Sequence, residues 1–105
     1  MIARTWRGIA TTAKADAYHR HFTSTVASHL KEIVGYQGAY LLRREANGQV
    51  EFIAVTLWDS IDTVKKFSGP NPEAAIVEPE ARAALTTFDD YARHYEVAYS
   101  NDRTA

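Results

Sequence analysis

Asn47-Gly48, set between two β-prone runs, constrains this chain more than any other feature of the sequence. Both residues accept the positive φ angles of a type I′ turn, so a two-residue connection should join residues 37–45 and 49–58 into an antiparallel hairpin. Such a turn fixes the register. Ala46 is expected to face Gln49, Arg44 to face Glu51, Leu42 to face Ile53 and Tyr40 to face Val55, while Arg43 with Phe52 and Leu41 with Ala54 point to the other side. Both sides are largely apolar. A sheet with one wet face alternates apolar with polar residues, so this hairpin implies cover on both.

The remaining segments supply part of that cover. Ile2 to Ala10 reads as a strand and ends at Thr11-Thr12, residues that favour a helix start. From Ala13 to Ile33, Tyr18, Phe22, Val26, Leu30 and Ile33 recur at helical spacing and form one buried stripe, which Gly35 terminates. Asp59-Ser60 caps a short helix carrying Ile61, Val64 and Phe67. Residues 69–78, with Pro70, Asn71 and Pro72, read as an irregular excursion. Pro79 then opens a helix carrying Ala81, Ala84, Leu85 and Phe88, closed by Asp89-Asp90. Tyr91 to Tyr99 is the expected last strand, followed by a polar tail at residues 101–105.

The order is β-α-β-β-α-β with an extra helix before the final strand, an α+β, ferredoxin-like domain over residues 1–100. Helices cover one face of such a sheet. The other, either the set Tyr40, Leu42, Ile53, Val55 and Leu57 or its opposite, is left for a second copy, so the expected state is a homodimer.

Twelve basic against thirteen acidic residues give a net charge of −1 with no basic block, which argues against nucleic acid as a partner. There is no cysteine, hence no disulfide or thiolate chemistry, in keeping with a cytoplasmic location. Arg4 and Arg7 interrupt the first strand, so no signal peptide is expected there, and no apolar run is long enough for a membrane span.

The chemistry-bearing residues are few. His94 shares a strand face with Glu96 and is the candidate general base, against the plain alternative of an edge pair. His29 falls seven residues after Phe22, hence on the buried stripe, where it would reach a pocket or sit as a core histidine. Trp6 and Trp58 suit the walls of a pocket for a planar ligand and equally suit a core. Arg4 and Arg7 alternate across their strand, so only one faces any given cavity; there it would hold an oxyanion or carboxylate. His19 and His21 diverge on their helix, and no metal site is expected. Phosphate-loop, dinucleotide and hydrolase motifs are absent from the sequence.

Three stretches, Ile2-Ala3-Arg4-Thr5-Trp6-Arg7-Gly8, Gly35 to Arg44 and Arg93-His94-Tyr95-Glu96-Val97, resemble the antibiotic biosynthesis monooxygenase family of dimeric α+β barrels. The resemblance spans Ile2 to about Tyr99. It implies that Trp58 lines a pocket between sheet and helices, as in quinone-forming members. Their Asn four residues earlier and Tyr six later are Ala54 and Val64 here, so that catalytic set is not carried over. Heme-degrading members match less well: their first-strand Asn falls near Trp6, their Trp near Phe67 and their iron-ligating His near Val77. The expected function is a cofactor-independent monooxygenase acting on an electron-rich aromatic small molecule, with no cofactor. The alternative is a non-catalytic binding or structural dimer.

Overall fold

The computed structural model describes residues 1–101. Strand β1 (Ile2–Thr11) leads into helix α1 (Thr12–His21), a π-helical turn (Phe22–Val26) and α2 (Ala27–Lys31). The hairpin follows as β2 (Tyr36–Ala46) and β3 (Gln49–Trp58), then α3 (Ile61–Ser68), α4 (Pro79–Ala84), β4 (Thr87–Phe88) and β5 (Arg93–Glu96). The antiparallel sheet runs β2-β3-β1-β4, with β5 pairing the start of β1 and β4 its end. Strands β1 and β2 therefore flank β3, the split arrangement of a ferredoxin-like α+β fold.

Asn47 (φ 54°) and Gly48 (φ 74°) make the tight turn, and the expected register holds at every pair from Tyr40–Val55 to Ala46–Gln49. Ser60 accepts a hydrogen bond from the Thr63 N–H and caps α3. Gly35 sits at φ 99° against Thr63, where an added Cβ would come within 2.3 Å of the Thr63 methyl. Only glycine serves at that junction between α2 and β2.

Helices cover the face that carries Arg4, Trp6, Gly8 and Ala10 of β1 with Val50, Phe52, Thr56 and Trp58 of β3. Two buried clusters result. The larger joins Tyr18, Phe22, Val50, Phe52 and Leu85; the smaller joins Leu30, Trp58 and Val64. On the opposite face Tyr40 is 62%, Leu42 49% and Tyr95 52% exposed, which settles which apolar set the helices leave open.

Two expectations near the C-terminus are corrected. The helix opened by Pro79 ends at Ala84, and Leu85 is already extended (φ −106°, ψ 138°) because the Thr86 N–H donates to Ile9 O at 2.7 Å. Sheet pairing by the β-branched Thr86-Thr87 wins over helical continuation. The strand expected from Tyr91 to Tyr99 is confined to Arg93–Glu96. The Ala92 N–H donates instead to Glu73 O, and Tyr91 forms an isolated bridge to Ala74, so this stretch ties down the 69–78 excursion before rejoining the sheet. The polar end expected at 101–105 lies, from residue 102 on, outside the described residues.

Candidate functional site

A cavity of about 50 Å³ lies between the sheet and the helical layer. Arg4 and Trp6 of β1 and Ala54 and Thr56 of β3 form its floor; Tyr18, His21, Phe22, Val26 and Leu30 form the helical wall; Phe67, Ile76 and Ala81 close the side. The π-helical turn shapes the helical wall. Thr23 Oγ and Ser24 Oγ donate to His19 O and Arg20 O, taking carbonyls that an α-helix would give to backbone N–H groups. The chain widens by one residue per turn there, as π-bulges do.

That extra residue decides which histidine reaches the cavity. Seven residues beyond Phe22 an unbroken α-helix would present His29 next to Leu30, but the widened turn delays the phase, so Leu30 keeps its expected buried place and His29 does not. His29 is exposed, with only an outer contact of its ring to Phe67 at 5.7 Å, which corrects its expected place on the buried stripe. His21, at the end of α1, is 5% exposed and lines the cavity. Its Nδ1 is 3.2 Å from Glu80 Oε2 of α4, which leaves Nε2 to serve a ligand. Nothing in the residue spacing singled out His21, because its partner lies 59 residues away.

The two tryptophans separate. Trp6 is part-exposed on the cavity, held by donation of its Nε1–H to Asp89 O at 2.8 Å and packed near Phe88 and Tyr18. Trp58 is fully buried, donates to Thr56 Oγ1 at 2.8 Å and meets Tyr36 edge-on, so it stands one step behind the wall, in the smaller core cluster.

Arg4 is 6% exposed and forms no ion pair among the described residues. Its Nη2–H donates to Ala74 O at 2.7 Å, its guanidinium lies 5.3 Å from the Phe67 ring centre, and its Nε–H is buried without an acceptor. Burial pulls its pKa down to about 10, so it stays charged at neutral pH. Burial also pushes the Tyr18 phenol up, keeping it a neutral hydroxyl. Arg7 points to the open face, where it and Arg44 pair with Glu51.

His94 pairs across the strands with Arg4, on the same face, yet lines an outer concavity with Glu73, Asp89 and Tyr91 rather than the interior cavity. Burial, then the Arg4 charge, hold its pKa below the ordinary 6.5, with Glu73 opposing. The folded protein thus binds fewer protons than the unfolded chain near that pH. This contribution to stability should be complete above the ordinary value and be lost as pH falls below it and through the lower folded-state pKa. His94→Gln should flatten that part of the profile; thermal melts of both proteins from about pH 5 to 7.5 that run parallel would refute the assignment.

A heme does not fit the residues present. The position at which the resemblance would put an iron-ligating histidine is Val77, an apolar side chain packed against the larger core cluster. No group of three or more His, Asp or Glu side chains among the described residues could hold a metal ion, and no described helix is long and apolar enough to cross a membrane.

The α+β fold of sheet and helices is shared with solved structures of antibiotic biosynthesis monooxygenase-type proteins. No family model and no curated protein matches the chain by sequence. Among solved structures, a putative antibiotic biosynthesis monooxygenase from Bacillus cereus is similar at TM-score 0.70 and 15% identity, over 97% of each chain. SnoaB, a cofactor-independent oxygenase from Streptomyces nogalater, is similar at TM-score 0.66 and 13% identity, over 94% of this chain and 95% of that one. The heme-degrader MhuD from Mycobacterium tuberculosis, with two hemes bound, is similar at TM-score 0.62 and 18% identity, over 97% and 100%. At these identities the likeness establishes the fold.

Proposed function

We propose that the chain is a cofactor-independent monooxygenase that oxidises an enolisable aromatic small molecule in the cavity between sheet and helices. The observation that carries this reading is the buried imidazole of His21 on an apolar cavity, with Nδ1 beside the Glu80 carboxylate and no hydrogen bond to Nε2 among the described residues. A carboxylate at Nδ1 fixes the tautomer that keeps Nε2 a proton acceptor and stabilises the imidazolium once formed. His21 removes a proton from an activated CH₂ group, and the resulting carbanion gives its electrons to dioxygen. A carbon-bound hydroperoxide forms and loses water. The balance is CH₂ plus O₂ to C=O plus H₂O, with the substrate itself as the reductant. Trp6, Tyr18 and Phe22 supply the aromatic and apolar walls that hold a planar ring.

A cavity of about 50 Å³ is well short of the roughly 300 Å³ at which drug-sized pockets begin, so a ligand enters only when the wall opens. The half-exposed Ile76, on the 69–78 segment, is the part to yield, whereas Phe67 beside it is packed on Trp58 of β3. The test is oxygen uptake by purified, metal-free protein supplied with hydroxyanthrones. Consumption no faster than in buffer across such a panel would favour the non-catalytic binding reading.

The working unit is a homodimer built on the open sheet face, where Tyr40, Leu42 and Tyr95 lie exposed around Ile53 and Val55. Covering it should bury more than about 1,000 Å² in total. Light scattering should return twice the monomer mass at micromolar concentration, and Leu42→Glu should shift it toward monomer. A monomer mass for the unaltered protein removes the dimer.

A further inference from the structure

A charged side chain buried without a counter-ion is costly, because its lost hydration is not returned by a partner. Arg4 is such a side chain. Of its five N–H donors one meets the Ala74 carbonyl, Nε–H meets nothing, and no carboxylate pairs with it among the described residues. It is held on the floor of the cavity beside Trp6 and Thr56. A buried charge with an unsatisfied N–H calls for a partner, and a ligand supplies both the missing acceptor and the counter-charge. We infer that Arg4 is an anion subsite and that the physiological ligand is an aromatic monoanion, which sets a carboxylate or enolate oxygen against the guanidinium while its ring lies along Trp6.

The rest of the wall agrees with a single negative charge. His21 is the only other basic side chain on the cavity lining, and its Glu80 partner is 76% exposed and outside that lining. The Tyr18 hydroxyl, kept neutral by burial, adds a donor. Arg4 also couples ligand to opening. The contact of Nη2 with Ala74 O ties the 69–78 segment over the cavity, and an anionic oxygen competes for the same N–H.

The inference rests on the cavity being the ligand site, and its test is binding rather than turnover. Trp6 fluorescence or calorimetry, without oxygen, would compare 2-naphthoate, its neutral methyl ester and the enolisable 1,8-dihydroxyanthrone. The unaltered protein should bind 2-naphthoate or the deprotonated anthrone about 10- to 100-fold more tightly than the ester, the usual advantage of a charge-assisted pair. Selectivity for the carboxylate alone, or for the enolate alone, identifies the source of the charge. Arg4→Met should erase the preference and leave ester affinity within about threefold, whereas Arg4→Lys should keep part of it. Equal affinity of the unaltered protein for charged and neutral probes, or no binding of any, overturns the inference without recourse to a variant. Charge-selective binding without oxygen uptake would keep the anion subsite and remove the oxygenase, and the converse result would do the opposite.

Discussion

His21→Ala should lower the rate of oxygen uptake with an enolisable aromatic by about 10² to 10⁴, the usual share of a general base. The imidazole is the one proton acceptor the fold carries into the cavity, and its loss leaves Glu80 in solvent rather than as a buried orphan charge. Folding should therefore survive, and a thermal melt checks that. His94→Ala is the comparison that gives the experiment its force. His94 lies across the strand pair from Arg4 but outside the cavity, so its loss should leave the rate within about tenfold, as expected of a residue that does not touch the reacting atoms. The reverse pattern, with His94→Ala slow and His21→Ala active, would move the base to the outer concavity.

Trp58→Ala should destabilise the fold by about 3 to 5 kcal/mol, the range for truncating a buried aromatic. The indole is fully buried between Leu30, Val64 and Tyr36, and its N–H satisfies Thr56 Oγ1. Truncation leaves a void and an unpaired buried hydroxyl, and few neighbours can move in from β1 and β3 to fill it. Urea unfolding measures the cost. The probe selectivity set by Arg4 should persist wherever the variant is folded, because Trp58 does not line the cavity. A loss of ligand binding with stability unchanged within about 1 kcal/mol would return Trp58 to the pocket wall that the sequence resemblance implied.

Local chemistry was legible in the sequence wherever one residue and its near neighbours decide the outcome. Asn47-Gly48 set the hairpin register because few backbones accept two successive positive φ angles. Ser60 announced α3 because its hydroxyl meets an N–H three residues on, and alternation placed Arg4 and Trp6 on one face of β1. The stripe from Tyr18 to Leu30 gave the helix its buried side. Tertiary structure decided the site. Two hydroxyls at Thr23 and Ser24 took helical carbonyls and widened one turn, which kept Leu30 on the buried stripe and turned His29 off it. His21 acquired its carboxylate only when α4 docked on α1, and Arg4 became a buried, unpaired charge only when the 69–78 segment crossed it. Trp6 and Trp58 read alike in the sequence, and the helical layer separated them by leaving a gap above one and closing over the other. Burial, charge pairing and cavity walls are properties of segments brought together from far along the chain, and periodicity carries no record of that distance.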